Sequence, residues 1–197
     1  MLGIAGTAAA EGFFYADVNV GRASYSGEPN ARLAADTLKR VATSTRDFAW
    51  SFAAGYHFNE YVSLEAGFVD LGEISETFVD KMGGAEVNRG KISQSARGKT
   101  LALLAHRPSG NWDPFFKLGA IYAIVDFRGN VRVGESGFSG SDEHHDPRAF
   151  FGVGVRYAFD DRWALSVSAD YYVKLVNLVR TSQTSAFSPR IGVAYHF

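Results

Sequence analysis

The residues best suited to bind a metal ion form one run in the second half of the chain. Residues 142–146 read Asp-Glu-His-His-Asp, and carboxylate oxygens and imidazole nitrogens are ligands for divalent cations. Adjacent ligands in a segment rich in glycine and serine have no fixed geometry, and the chain contains no cysteine to add a thiolate. We therefore predict a solvated loop at 142–146 and no metal site.

A histidine and a serine lie close enough in the sequence to suggest a hydrolase. His106 and Ser109 are three residues apart, but nucleophilic catalysis needs a base beside the nucleophile and a third group that orients the base. The pair lies at a predicted short turn, and the chain contains no GxSxG, P-loop or HExxH motif. The sequence predicts no catalytic residue and no cofactor.

Isolated charges interrupt stretches that otherwise alternate between large and small residues. Their signs nearly balance. If these side chains face the narrow interior of the folded protein, each charge costs free energy unless it is paired and hydrogen-bonded. We predict that they fill the interior as a network of ion pairs in which Glu65 pairs with Arg156. Structural filling is the more common role of such a network, and ion conduction is the alternative. The six charged residues are Asp17, Glu65, Lys117, Arg156, Asp170 and Arg190.

The elements that must position these charges are β-strands. Eight stretches of the chain place large apolar residues at every second position, which is the period of a strand. In one of them Phe48, Trp50 and Phe52 alternate with small residues. Tight turns at 59–60 and 160–161 join neighbouring strands into hairpins. The predicted strands are 14–25, 48–57, 62–68, 99–106, 115–127, 149–159, 163–172 and 187–197.

The connections between the predicted strands alternate in length. They are long and polar after the first, third, fifth and seventh strands and short after the second, fourth and sixth. Transmembrane barrels have short periplasmic turns and long extracellular loops, so this pattern favours a membrane barrel with both termini on the short-turn side. In the first long loop, the segment Ala31–Ala42 has helical spacing and fits a short helix or an irregular loop equally well.

Composition excludes several classes of protein. The mean hydropathy is −0.09, and no stretch approaches the roughly 18 apolar residues of a spanning helix, which excludes a helical membrane protein. A barrel strand needs only about ten residues, half of them facing lipid. The net charge of −1 leaves no basic excess for a nucleic-acid partner. We expect residues 1–11 to be a signal-peptide remnant or a flexible tail, and residues 12–197 to form one barrel domain.

Two opposite kinds of barrel fit the alternation, a soluble barrel with an apolar interior and a membrane barrel with an apolar exterior. The second face of each strand consists chiefly of glycine, alanine and serine, which suits the cramped interior of an eight-stranded barrel better than a surface in water. The large residues then face lipid, and aromatic residues near the strand ends form two girdles at the membrane interfaces. The predicted girdle residues are Phe48, Tyr56, Phe68, Tyr157, Trp163, Tyr171 and Tyr195.

Three segments carry a family resemblance. The passage GYHFNEYVSLEAGFVDLG (55–72) resembles the second hairpin of the transmembrane domain of the outer membrane protein A (OmpA) family. The passages DPFFKLGAIYA (113–123) and FFGVGVRYAF (150–159) resemble its fifth and sixth strands. The resemblance covers most strand positions from Gly12 onward and none of the long loops. It implies an eight-stranded barrel in the outer membrane.

The end of the sequence is similar to the outer-membrane assembly signal of such barrels. A polar residue is followed two positions later by glycine and then by alternating hydrophobic residues that end in an aromatic one. An edge strand of this kind offers free backbone groups that can pair with the insertion machinery before the barrel closes. The residues that match the signal are Arg190, Gly192, Tyr195 and Phe197.

Other features of the OmpA family are not expected here. Because the sequence stops at Phe197, we expect no peptidoglycan-binding domain after the barrel. Glu65 matches a glutamate of the family's interior network, but Leu104 stands in place of a lysine. Arg156 stands in place of a glutamate and Ser166 in place of an arginine. The resemblance therefore does not carry over the family's gating pair.

The patterns predict an all-β fold, an eight-stranded antiparallel up-and-down transmembrane β-barrel located in the bacterial outer membrane. Its expected role is structural or surface-interacting, with a narrow ion-conducting lumen as an addition. An adhesin that binds through its long loops is one alternative, and a lipid A-modifying enzyme is the least favoured. The expected partners are outer-membrane lipids, lipopolysaccharide and the insertion machinery. Nucleic acid is not among them, and the loops contain no motif that identifies an extracellular ligand.

Overall fold

A computed structural model of the chain describes residues 13–26, 39–44, 46–82, 85–133, 136–178 and 182–197. Within these ranges the chain forms nine β-strands and no helix. None of these residues therefore belongs to a helix long and apolar enough to cross a membrane. The strands are β1 (Phe13–Ser26), β2 (Lys39–Ser44), β3 (Arg46–Asn59), β4 (Val62–Met82), β5 (Ala85–His106), β6 (Trp112–Val133), β7 (Ser136–Ala158), β8 (Trp163–Leu178) and β9 (Ser182–His196).

The strands form one closed antiparallel sheet. Their order is β2-β4-β3-β1-β9-β8-β7-β6-β5, and pairing of β5 with β4 completes the circle. Strands β2 and β3 pair in succession along β4 and so share one position of the barrel. The first strand pairs with the last, as at Val18 and Val193. The described residues thus form an eight-stranded up-and-down barrel, which confirms the predicted fold class.

Four strands are much longer than predicted. Strands β4 to β7 contain 21, 22, 22 and 23 residues, and pairing continues to Met82↔Ala85 in one hairpin and Val133↔Ser136 in the other. The prediction of long loops after the third and fifth strands was therefore wrong. A ladder of backbone hydrogen bonds needs no apolar face, so a hairpin can continue through polar sequence into water.

The segment Ala31–Ala42, for which a short helix and an irregular loop were equally expected, is a β-strand where the structure describes it. Residues 31–38 lie outside the described ranges, as does the predicted tail at 1–11. Residues 39–42 belong to β2 and pair with β4, with a register shift between Arg40 and Ala42. Both the helix and the loop were therefore wrong for these residues, because pairing with a neighbouring strand outweighs a weak helical spacing.

Alternate residues of each strand face the interior and the exterior of the barrel. On β1, Tyr15 and Asp17 are buried, whereas Phe14 and Val18 are exposed on the outer surface. Interior glycines make room for larger neighbours. A Cβ at Gly55 would collide with the ring of Tyr15, its partner on the adjacent strand. Glycine at this position therefore allows an aromatic ring to lie across the narrow interior.

The interior has two chemically different halves. We call the end of the barrel with the turns at 60–61, 107–111 and 159–162 the short-turn end, and the opposite end the hairpin end. Buried charged and hydroxyl groups fill the half nearer the short-turn end. The fully buried side chains described in the other half are chiefly apolar, and we call this cluster the apolar plug. Its largest residues are Tyr25, Leu71, Ile121, Val125, Phe150, Tyr172 and Leu175.

Candidate functional site

The six charged residues predicted to lie inside the barrel are all buried there. They come from six different strands, and the most exposed of them, Lys117, retains 8% of its accessible surface. Two separate groups are formed rather than one network. Asp17, Glu65, Lys117 and Arg156 make the first group, and Asp170 and Arg190 make the second.

Glu65 is the centre of the first group. Its Oε1 lies 2.6 Å from Lys117 Nζ, and its Oε2 lies 3.5 Å from Arg156 Nη2. The predicted partners Glu65 and Arg156 are thus at ion-pair distance. Tyr15 donates a hydrogen bond of 3.2 Å to Oε2, and Arg156 also lies 3.6 Å from Asp17. Two cations therefore balance two carboxylates in a space closed to water.

The side chain of Arg156 is held by rings as well as by charges. Its guanidinium carbon lies 4.4 Å from the ring centroid of Tyr15 and 5.0 Å from that of Phe115. A planar guanidinium can stack on aromatic faces and keep its edges for hydrogen bonds, whereas an ammonium cannot. The position therefore suits arginine specifically.

The second group lies next to the apolar plug. Asp170 forms an ion pair with Arg190, and Tyr172 donates a hydrogen bond of 3.4 Å to the same carboxylate. A Cβ at Gly152 would collide with Asp170, so glycine there leaves space for the carboxylate. Arg190, predicted as the polar residue of the assembly signal, is also an interior partner in the folded barrel.

A chain of hydrogen bonds that the sequence did not predict connects the first group to the short-turn end. His106 donates from Nδ1 to Asp113 Oδ2 at 2.8 Å and accepts at Nε2 from Ser63 Oγ at 2.7 Å. Ser63 in turn lies 3.4 Å from the hydroxyl of Tyr15. The hydroxyl partner of His106 is therefore Ser63, 43 residues away, and not Ser109.

The order serine, histidine, aspartate is that of hydrolase triads. Here, however, the Ser63 side chain is fully buried beneath Tyr15, and a nucleophile must reach its substrate. The arrangement instead pairs the Ser63 hydroxyl, both ring nitrogens of His106 and one carboxylate oxygen of Asp113 in a crowded interior. We assign it a structural role, in which Asp113 fixes the ring of His106 and the ring fixes Ser63.

Three histidines close the interior at the short-turn end. The ring of His57 lies 4.8 Å from that of His106 and 6.1 Å from that of His196, and Phe13 stacks on His57 at 4.5 Å. All three histidines occupy inward positions of their strands, next to a turn or to the end of the chain. A histidine at an inward position of the alternation, next to a turn or to the end of the chain, is therefore the sequence signal that identifies them.

Replacing Ser63 with alanine should lower the free energy of unfolding by about 1–3 kcal/mol, because His106 Nε2 would remain buried without its hydrogen bond. Ser109→Ala is the matched control, since Ser109 is exposed in the turn and its backbone alone pairs with Trp112. Urea unfolding of the refolded protein in lipid vesicles, followed by tryptophan fluorescence, measures both. Equal stability of the two variants would contradict the assigned hydrogen bond.

The predicted girdle residues lie on the outer surface at two levels. Rings pack in pairs near the short-turn end, with Trp112 and Tyr157 at 4.7 Å and Trp163 and Tyr195 at 4.8 Å. Tyr195 also contacts the ring of Phe197, which is 76% exposed. The backbone N–H of Phe197 donates a hydrogen bond to the backbone oxygen of Phe14. Gly192 of the assembly signal faces inward. Tyr56 lies near the short-turn end, and Phe48 and Tyr171 lie farther toward the hairpin end. Phe68 lies in the short-turn part of β4 (Val62–Met82).

The run at 142–146 does not lie in a loop. Its backbone belongs to β7 and pairs with residues 123–127 of β6, so the prediction of a loop was wrong. The structure describes the backbone of this run and not its side chains. Among the side chains that are described, no three His, Asp or Glu residues are arranged to hold a metal ion.

Solved structures with a similar fold include surface and outer-membrane proteins of bacteria. Neisserial surface protein A superposes with a TM-score of 0.56 at 15% identity, over 93% of this chain and 97% of that one. Ail, the attachment invasion locus protein of Yersinia pestis, solved with the heparin analogue sucrose octasulfate, gives 0.50 at 13% identity over 93% and 99%. The outer membrane protease OmpT of Escherichia coli gives 0.52 at 8% identity over 94% and 97%. Identities this low show a shared fold alone.

A family model describes the whole chain. The model of the outer membrane protein beta-barrel domain matches residues 1–197, whereas no curated protein sequence matches significantly. The match confirms the resemblance to outer-membrane barrels that the strand motifs predicted. The chain therefore belongs to the family of outer membrane protein β-barrel domains.

Proposed function

We propose that this protein is located in the bacterial outer membrane and acts at the cell surface through the hairpin-end parts of β4 to β7. We further propose that its lumen is closed to ions. Family membership supports the location, and short turns in such barrels face the periplasm. The length of β4 to β7 is the observation that carries the surface role.

The four long strands extend well beyond a membrane. About ten tilted residues cross the hydrocarbon core, whereas the shortest of the four has 21 residues and so measures about 70 Å at roughly 3.3 Å per residue. Strands β1, β8 and β9 have only 14, 16 and 15 residues. The barrel therefore carries a one-sided wall of paired strands that stands above the outer leaflet and offers a broad surface to a partner.

The packing of the interior supports a closed lumen. The apolar plug fills the hairpin-end half, where Leu71, Phe150 and Leu175 retain 2% or less of their accessible surface. An ion would have to leave its hydration shell to pass between these apolar side chains, and that loss is costly. The ion pairs nearer the short-turn end then serve to fill the barrel.

The relatives show that this fold carries different surface activities. The name of Ail describes it as an attachment invasion locus protein, and its structure holds a heparin analogue. OmpT is a protease. We propose that this chain attaches to a surface partner without a catalytic step, because its raised wall of strands offers a broad contact surface.

Trimming the wall tests the proposal. Residues 76–92 and 127–142 are each replaced by an Asn-Gly turn, which joins the strands at the in-register pairs Ser75↔Ser93 and Asp126↔Glu143. We expect cells that display the full chain to adhere to immobilised heparin, and the trimmed chain to lose that adhesion while keeping its heat-modifiable gel shift. Equal adhesion by both forms would contradict the proposed surface role.

Planar bilayers test the closed lumen separately. The purified full chain should give no current above that of the lipid alone. Stepwise single-channel currents would show that the protein is a pore and that the apolar plug opens in the membrane.

A further inference from the structure

The three histidines at the short-turn end lie between the buried charges and the solvent. We call His57, His106 and His196 the histidine cap. His57 and His106 retain only 5% and 6% of their accessible surface. Phe13 stacks on His57 from the solvent side and is itself 41% exposed, whereas Tyr15, the next inward residue of β1, lies 4.9 Å from the same ring. The cap therefore closes this end of the interior with rings.

His57 is a polar residue in a place that suits an apolar ring. Among the described residues, neither its Nδ1 nor its Nε2 has a hydrogen-bond partner, although both atoms are buried. Buried polar atoms are normally paired, and an unpaired one costs free energy. Stacking alone would be served equally well by phenylalanine. What the imidazole adds is a charge that can change between about pH 5 and 8.

The groups around His57 leave a charged cap poorly balanced. Arg156 already has Asp17 and Glu65 as partners. Among the described groups that face His57 and His196, Asp113 is the one carboxylate. Three imidazolium groups would thus share one anion, and their repulsion is strong where water does not screen it. The titratable and charged groups that face His57 are Tyr15 of β1, His106 of β5, Asp113 of β6, Arg156 of β7 and His196 of β9.

The start of β1 is the part of the wall best able to move. Phe13 pairs with His57 of β3, but the pairing of β1 with β9 begins only at Tyr15↔His196. Phe13 is therefore held by a strand on one side alone in the described ladders. Strand ends of this kind open at little cost in free energy, whereas the central ladder does not. The ring of Phe13 can leave His57 while the barrel stays closed.

We propose that the histidine cap is a lid that opens when its rings take up protons. With neutral rings the cap stays stacked and the charged half of the interior is dry. In acid the positive charges repel one another, Phe13 and His57 separate, and water enters as far as the buried ion pairs. The apolar plug is unchanged, so the barrel remains closed to ions in both states. In the proposed orientation the lid responds to acidity on the periplasmic side.

Single cysteines can report the opening, because the chain contains no cysteine of its own. Ala194 and Ala186 both lie on β9 and are both 0% exposed. Ala194 lies under the cap, two positions from His196, whereas Ala186 belongs to the apolar plug. Cysteine at these two positions therefore reports separately on the two halves of the interior.

Labelling with dithiodipyridine, which reacts with thiols at acid and at neutral pH, is measured on the folded full chain in detergent. Rates are expressed relative to an exposed Ser109→Cys reporter in the same buffer. Between about pH 7.5 and about pH 4, the relative rate at Ala194→Cys should rise roughly tenfold, because the opening is local. The relative rate at Ala186→Cys should not change.

Phenylalanine substitutions remove the protons but keep the rings. His57→Phe combined with His196→Phe should abolish the rise at Ala194→Cys, and at His57 this change removes no hydrogen bond between described residues. His144→Phe combined with His145→Phe is the matched control, because these residues belong to the hairpin-end part of β7. The control should keep the rise. Every variant should keep the heat-modifiable gel shift of the folded barrel.

Three results would overturn the proposal. The first is the same relative rate at Ala194→Cys at both pH values in the otherwise unsubstituted chain. The second is an equal rise at Ala186→Cys, since acid would then loosen the whole barrel and not the cap. The third is a rise that survives the two phenylalanines. If that double variant does not fold, the two reporters in the otherwise unsubstituted chain still decide.

Discussion

Replacing Arg156 with methionine should lower the free energy of unfolding by about 3–5 kcal/mol, which is the usual effect of removing one member of a buried ion pair. Arg156 lies 3.6 Å from Asp17 and 3.5 Å from Glu65. Glu65 would keep Lys117 as its partner, but Asp17 would lose its nearest cation in a space closed to water. Urea unfolding of the protein refolded in phospholipid vesicles measures the loss.

Two further variants separate charge from packing. Arg156→Lys keeps the charge but loses the planar group that stacks between Tyr15 and Phe115, so its stability should fall between those of the original and the methionine variant. Arg107→Met, in an exposed turn, should change stability by less than about 0.5 kcal/mol. A methionine variant as stable as the Arg107→Met control would show that Arg156 makes no net contribution.

Replacing Phe150 with alanine should also lower the free energy of unfolding by about 3–5 kcal/mol, because a large ring would be removed from a filled interior. Phe150 is 2% exposed and stacks on Tyr172 with a centroid distance of 5.2 Å. These two rings are the largest fully buried side chains of the apolar plug. The same variant in planar bilayers should show rare current steps, since the cavity weakens the barrier to water.

The next residue in the sequence is the control for this variant. Phe151 is 44% exposed on the outer face and packs against Tyr171. Lipid tails can fill the space left by Phe151→Ala, so its effect should be about 1 kcal/mol or less. If the two alanine variants lost equal stability, the assignment of Phe150 to the interior and Phe151 to the lipid face would be wrong.

The alternation of the sequence was enough to predict the barrel and the direction of most side chains. The period of two is a local property, so it is visible wherever one face of a strand meets lipid and the other meets a crowded interior. It placed Asp17, Glu65 and Arg156 on the inner face, where the structure finds them buried. The pairing of Glu65 with Arg156 followed from the cost of leaving either charge alone.

Other features are not local, and the sequence did not reveal them. Strands β4 to β7 continue to Met82, Ala85, Val133 and Ser136, beyond the parts of the sequence in which large and small residues alternate. The register shifts between Tyr172 and Val176, where Lys174 has a φ of 52°. Strict alternation from Tyr172 would place Leu175 on the outer face, but Leu175 is buried. The contact of His106 with Ser63 joins two strands 43 residues apart, which no spacing rule detects.

The pairing of the first strand with the last has a consequence for how the protein folds. The ladder between β1 and β9 joins residues such as Val18 and Val193, so the sheet can close only after its final strand has been delivered. Until then both strand edges carry unpaired backbone groups, which hydrocarbon does not tolerate. Contacts between distant parts of a chain also form slowly. The rate of insertion should therefore depend on the last fifteen residues, and a chain that lacks them should accumulate as an aggregation-prone intermediate outside the bilayer.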